Sequence, residues 1–265
     1  FMRSTRKLKR KRGRRLKKWF KIFLVILAAI IAIILIIVFG FKLQTVETSL
    51  DLGQFTNQEV RDYIGKKNID NTFVFWFKNK IGKSEKLEMF EDYSVKLTSP
   101  TSVKITGYEK KLKGYILYNK KYYYFDENGI ILKESSKKIE INSTEKNKKS
   151  KKIPEVKGLQ YSKLKLYKKI ETKNNKGLQY ILYVTYKVQE YSFTTKKIVL
   201  NEKNEITVKV KKVKVQLGKN LNLDKKLKDF NDMHKNVIKY SGTLNMKHAS
   251  EDGSYTLKKS EEKSK

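Results

Sequence analysis

The chain has 265 residues, room for about two small domains once a membrane segment is set aside. It carries 61 Lys+Arg against 27 Asp+Glu, a formal net charge of +34, and six of the seven arginines precede residue 16. There is no cysteine, which excludes a disulfide framework, a thiolate metal site and a cysteine nucleophile.

Residues 1–21 hold twelve Lys or Arg and no acid, so this stretch reads as a solvated basic arm that cannot bury a core. Met2 reads as the natural start. Ile22 to Phe41 is twenty residues without a charge, and at about 1.5 Å rise per residue it crosses a hydrocarbon core of roughly 30 Å. A cleaved signal would have a shorter apolar region, and Val38-Phe-Gly-Phe-Lys42 is a poor exit site, so 22–41 is expected to stay as a transmembrane anchor. The positive-inside rule keeps the N-terminus in the cytoplasm, because the arm is dense in charge while only Lys42 follows closely on the far side. Trp19 and Phe20 then fall at the inner headgroup level or are simply buried; both readings stand.

Beyond the span, Leu43 to Leu50 interleaves polar and apolar residues as a short strand does. Thr56 and Glu59 are spaced as in a capping box, and Val60, Tyr63 and Ile64 form the apolar face of the helix that follows. Phe73-Val-Phe-Trp-Phe77, continuing toward Ile81, predicts a second helix. Tyr93, Val95 and Leu97 alternate, Ser99-Pro100 turns the chain, and Val103 and Ile105 alternate again, a hairpin pattern. Strand, helix, helix, strand, strand over 42–112 makes a small α+β unit.

From Lys113 the texture becomes rich in Tyr, Ile and Val. Strands are expected at Gly114–Tyr118, Lys121–Phe125 and Ile130–Leu132, with Asp126-Glu-Asn-Gly129 closing a hairpin. Lys133 to Lys152 reads as a polar loop; its Asn142-Ser-Thr144 matches a glycosylation acceptor of a kind that arises by accident in polar loops. Further strands are expected at Lys163–Lys168, Gln179–Lys187, Ser192–Leu200 and Glu205–Val215, with Asn174-Asn-Lys-Gly177 as a turn. Leu223, Leu227, Phe230, His234, Val237 and Ile238 recur at helical spacing behind Asn222 as N-cap. A strand pair closes the domain at 258: Leu244, Met246 and His248 alternate, Glu251-Asp252-Gly253 turns, and Tyr255 and Leu257 return. Residues 259–265 read as a disordered tail. The fold class is therefore α+β: one transmembrane helix, a small α+β domain at 42–112, and a mainly antiparallel β domain at 113–258 with a C-terminal helix and strand pair.

This order resembles the FtsQ/DivIB family of bacterial cell-division proteins. Gly107-Tyr108-Glu109-Lys110 before Leu112-Lys-Gly-Tyr-Ile116, then Tyr123-Tyr-Phe-Asp-Glu-Asn-Gly-Ile-Ile-Leu132, is similar to that family's junction and first hairpin; Pro154-Glu-Val-Lys-Gly158-Leu and Val215-Gln-Leu-Gly218 before the Leu223 helix match it likewise. The resemblance runs over about residues 1–258 and rests on the order of its motifs. It implies that 42–112 is a POTRA-like domain and that the final strands receive the small membrane division protein FtsB/DivIC together with FtsL. Carried onto this chain, the implied contacts are Thr243, Leu244, Asn245, Met246, Lys247, Tyr255 and Leu257. Leu244, Met246 and Leu257 serve equally well as closure of the β core, whereas Tyr255 and Lys247 suit an interface better. Where the family has an aromatic-Pro pair in the POTRA hairpin, this chain has Ser99-Pro100, so the contacts of that hairpin do not carry over.

No enzymatic constellation stands out. The two histidines, His234 and His248, read as packed core residues without compatible metal-ligand spacing, and neither a Ser-His-Asp set, a phosphate loop nor a carboxylate pair is found. No cofactor, small-molecule substrate or nucleic acid is expected; nucleic acid would call for stacking platforms or a reader motif. The resemblance implies a non-catalytic scaffold in the cell membrane at the division septum, acting by strand addition. The alternative is a membrane-anchored outer protein whose lysines hold anionic wall polymer or lipid headgroups.

Overall fold

The computed structural model describes residues 17–139, 153–191 and 194–260. Most of the basic arm, most of the expected 133–152 loop, the Asn142 acceptor and the last five residues lie outside them. The chain divides into two compact units, one of residues 1–48, 57–85 and 95–105, the other of 49–56, 86–94 and 106–265.

The N-terminal element is a helix, α1 (Lys18–Gly40), 23 residues long with no buried residue. A helix apolar all round cannot lie bare in water, and this one is long and apolar enough to cross a membrane. It is followed by β1 (Thr45–Leu50), α2 (Asn57–Lys66), α3 (Thr72–Lys80), β2 (Phe90–Ser99) and β3 (Ser102–Glu109), the order expected from the sequence. The strands form a sheet in the order β1-β3-β2. Helix α2 buries Val60, Tyr63 and Ile64, its 3.6-period stripe. Helix α3 buries Thr72 and Phe75 and is capped by Asn71, whose side-chain oxygen accepts the Val74 N–H at 2.9 Å.

The second unit is built on a nine-stranded sheet in the order β12-β11-β10-β9-β8-β7-β4-β5-β6. Its strands are β4 (Gly114–Tyr118), β5 (Lys121–Phe125), β6 (Ile131–Ser135), β7 (Glu155–Lys157), β8 (Thr195–Leu200), β9 (Ile206–Val210), β10 (Val213–Gly218), β11 (Gly242–Asn245) and β12 (Thr256–Lys259). Five neighbouring pairs are antiparallel. Three are parallel: β4–β7, β7–β8 and β10–β11. Two of the parallel connections are helical crossovers, β7 to β8 through α4 (Asn175–Glu190) and β10 to β11 through α5 (Leu223–Val237). One face of the sheet packs on both helices: Ile198, Val208, Val215, Leu244 and Leu257 stand in one register row and share a core cluster with Leu178, Ile181, Leu227 and Phe230.

Several expected elements of this unit fall otherwise. Gln179–Lys187 is the middle of α4, not a strand, because Leu178, Ile181, Leu182 and Thr185 bury one helical stripe that outweighs the β-propensity of its Tyr, Ile and Val. The supposed turn at Asn174 is the cap of that helix, its side chain accepting the Gly177 N–H at 2.9 Å. Glu205–Val215 is a hairpin, β9 and β10, turning at Lys211 with φ 49°; with no Gly or Asn at the turn, the alternation runs on as if unbroken. Lys163–Lys168 forms no strand, since the chain turns at Tyr167 with φ 61°. Strand β6 extends through Ser135, into the stretch read as loop. Strand β12 reaches Lys259, and Ser260 still donates its N–H to the Ser241 carbonyl at 2.9 Å, past the expected domain end. Asn222 precedes α5 in a left-handed conformation (φ 50°) and makes no side-chain cap bond.

The 52–55 loop is held to the end of β3 by a buried acid from the Gly107-Tyr108-Glu109-Lys110 junction. Glu109, at the end of β3, accepts the N–H groups of Leu52, Gln54 and Phe55, each at 2.9 Å, and its own N–H is donated to Asp51 at 2.8 Å. Burial pushes its carboxyl above the usual range despite the three donors.

Candidate partner-binding edge

The last fifth of the chain is assembled around α5. Leu223, Leu227 and Phe230 face the core, with Asp224 in the first turn and Lys235 in the last, charges that suit the helix dipole. Between the apolar positions lies Lys226, 1% exposed. Its ammonium donates to the carbonyls of Leu217 and Lys247, both at 2.8 Å, and more distantly to Lys219. Burial lowers its pKa. The side chain thereby ties α5 to the ends of β10 and β11, a role that a lysine surrounded by lysines does not advertise in sequence. Gly218 is needed beside it: with φ 71°, a Cβ there would stand 2.9 Å from the Cα of Lys247.

Strand β11 is paired on both sides, parallel to β10 and antiparallel to β12, and Met246 extends its ladder by donating to the Gln216 carbonyl at 2.9 Å. Among the described residues no strand lies beyond β12. The Ser260–Ser241 bond marks that pair as hydrogen-bonded. Strict antiparallel alternation then turns the main chains of Thr256 and Lys258 toward β11 and leaves the N–H and C=O groups of Leu257 and Lys259 on the outer side. The edge is short, and its Thr256, Lys258 and Lys259 are exposed, so lysines guard it against indiscriminate pairing.

The seven expected contact residues divide on this framework. Leu244 and Met246 are buried in the core. Leu257 and Tyr255 are half-buried against it. Tyr255 donates its hydroxyl to Asp229 on α5 at 2.6 Å and accepts the Ser250 N–H at 3.2 Å. Lys247 pairs with Glu205 at 3.2 Å. Thr243 is half-buried and Asn245 exposed, both on the face away from the helices. The β11–β12 turn is held by Asp252, which accepts from the N–H and hydroxyl of Ser254 at 3.0 and 2.8 Å and from the Ser250 hydroxyl; these bonds hold its carboxyl well below the usual range. His234 is half-buried, its Nδ1 2.6 Å from the Asn231 carbonyl, while His248 is exposed rather than packed in the core.

A second surface lies on the helix-free face of β8–β12. Lys197, Lys209, Lys214, Thr243 and Lys258 stand in one register row, flanked by a row of Val199, Thr207, Gln216, Asn245 and Thr256. Lys197 is answered by Glu155 at 3.0 Å; among the described residues no acid forms an ion pair with Lys209, Lys214 or Lys258. Like charges directly opposite one another oppose strand pairing, so this row is a local cost unless something anionic meets it. Compared with known proteins, the chain matches no family model, and no curated protein gives a significant match.

Proposed function

We propose that the chain is a single-pass, non-catalytic scaffold of the bacterial cell-division machinery of the FtsQ/DivIB kind. In this reading the basic arm stays in the cytoplasm, α1 spans the cell membrane, and the outer units gather at the septum. The β1-α2-α3-β2-β3 unit serves as a POTRA-like domain. The β12 edge takes up an extended segment of a small FtsB/DivIC-like membrane protein, with an FtsL-like partner beside it. The supporting observation is the β12 edge, beyond which no strand lies among the described residues: Leu257 and Lys259 turn main-chain groups outward, and half-buried Tyr255 and Leu257 can give side-chain specificity. Anchoring in a plane raises the effective concentration of other tethered partners, so modest contacts suffice.

The test is a proline at the outward position. Lys259→Pro removes one outer N–H without touching the ladder to β11, whereas Lys258→Ala keeps every main-chain donor. The full chain in detergent, titrated with the outer segments of the FtsB/DivIC-like and FtsL-like proteins, should bind as wild type and as Lys258→Ala but lose affinity as Lys259→Pro. Equal binding by all three removes strand addition at β12, and an even distribution of a tagged chain around the cell removes the division role.

The lysine row on the helix-free face favours a second reading, an outer protein that holds anionic wall polymer or headgroups. Such a contact weakens steeply with salt, and strand addition with apolar anchors does not.

A further inference from the structure

The end of the apolar helix and the start of α3 are stitched together. Asn71 donates its side-chain amide to the Ile37 carbonyl at 2.8 Å. Thr72 donates its N–H to the Phe41 carbonyl at 2.8 Å, while its hydroxyl donates to the Pro100 carbonyl at 2.5 Å with the Phe41 oxygen farther off at 3.2 Å, and Leu43 donates its N–H to the Asp70 carbonyl at 2.6 Å. The bond from Thr72 satisfies the Phe41 carbonyl, which follows the last turn of α1 and has no helical partner, and the Asn71 bond adds a donor to the Ile37 carbonyl within that turn. They also place the first turn of α3 at the depth where α1 ends.

Helix α3 does not bury all of its apolar surface. Phe75 faces the core, and Asn79 on the same side accepts the Val95 N–H at 2.9 Å. The opposite stripe is left bare: Val74, Phe77 and Ile81 are 43%, 46% and 48% exposed. Phe73 connects this stripe to the membrane helix, 5.6 Å from Phe41 in an edge contact and stacked on Phe77 at 6.1 Å. Trp76 lies beside it with the Lys80 ammonium 5.1 Å over its ring, and Lys83 is exposed just beyond. Apolar and aromatic residues with a rim of lysine are the composition of a helix lying in a membrane interface.

We infer that α3 docks on the outer leaflet of the membrane that α1 crosses, with Val74, Phe77 and Ile81 in the headgroup–acyl boundary and Trp76 at headgroup level. The occupant is the lipid surface, because the hydrogen bonds to α1 hold this face where the bilayer begins. The inference rests on the reading of α1 as a span. Docking gives the first unit a second point of attachment, so that it cannot swivel freely about Lys42.

The chain has two tryptophans, Trp19 at one end of α1 and Trp76 on α3, so each can be read alone. The full chain is reconstituted in vesicles of phosphatidylglycerol and phosphatidylcholine carrying a nitroxide quencher at a shallow acyl position. Trp76→Phe leaves Trp19 as reporter of the span; Trp19→Phe leaves Trp76 as reporter of docking. Both should lose emission to the quencher, and adding Val74→Asp with Phe77→Asp should restore Trp76 emission while leaving quenching of Trp19 in the companion background. These two positions are exposed, so the fold survives the change, which circular dichroism checks. Quenching of Trp19 without Trp76 overturns docking and leaves the span intact. Quenching of neither overturns both. Quenching of Trp76 that persists in the double aspartate variant overturns the assignment to this face.

Discussion

Removing the Glu109 carboxylate should loosen the second unit at its 52–55 loop, away from the β12 edge. Three main-chain N–H groups, of Leu52, Gln54 and Phe55, end on its two oxygens at 2.9 Å. Orphaned buried donors cost about 1–3 kcal/mol each, so Glu109→Ala falls at roughly 3–9 kcal/mol. Leu52 is half-buried and its N–H can recruit water, which puts the loss toward the lower end, about 4 kcal/mol. Glu109→Gln keeps one oxygen for Gln54 and Phe55 but turns an NH2 group toward Leu52, and about 1–3 kcal/mol should go. The pH dependence has a definite sign. Burial raises the carboxyl pKa in the folded state, so between the unfolded value near 4.3 and the raised value the folded chain binds more protons. Its contribution to stability therefore falls as pH rises through that window, and Glu109→Gln lacks this slope. Urea titrations of the full chain in mild detergent, followed by circular dichroism, measure both effects, and hydrogen exchange at residues 52–55 localises them. A loss below about 1 kcal/mol for Glu109→Ala, or a wild-type advantage over Glu109→Gln that grows as pH rises through that window, refutes the account.

Lys226 gives the mirror case. Its pKa is lowered by burial, so above the depressed value the unfolded chain holds the extra proton, and stability rises with pH up to about 10.4, by at most about 1.4 kcal/mol per pH unit; Lys226→Met should lose that rise in the difference between the two unfolding curves. Gly158→Ala should fail to fold, since a Cβ there would lie 1.7 Å from the Leu200 carbonyl oxygen at φ 84°. Gly253→Ala, with φ 73° but nothing within 4 Å, should cost only about 1–2 kcal/mol, and thermal melts separate the two.

The first unit was legible because each of its elements carries one clear period. Val60, Tyr63 and Ile64 fall three and four apart, Val103 and Ile105 two apart, and all five are buried. The second unit was harder because its residues carry conflicting signals. Leu178 to Val188 is rich in Tyr, Ile and Val, which favour strands taken one by one, yet the burial runs with helical period and Asn174 caps the start. Lys211 holds a left-handed conformation without Gly or Asn, so the β9–β10 turn left no mark in the composition. Parallel pairing is long-range and leaves no local pattern; the crossover through α4 could be anticipated only once α4 itself was read as a helix.

The expected contact residues were chosen on a terminal strand pair, and the pair is there, but the side chains say less about the edge than the main chain does. Alternation alone distinguishes Leu244 and Met246, which are in the core, from Asn245, which is not. What alternation in one strand cannot tell is which strand is outermost, because that depends on β10 returning through α5 to pair with β11. Once that parallel pair is in place, β11 has no free side, and a strand added at this end of the sheet must meet Leu257 and Lys259. The lysines that dominate the composition then do separate jobs: Lys226 ties α5 to the ends of β10 and β11, Lys258 and Lys259 keep the β12 edge from pairing indiscriminately, and Lys209 and Lys214 stand on the helix-free face. The same residue type is a buried tether, an edge guard and a charged platform within fifty positions, and only the register distinguishes them.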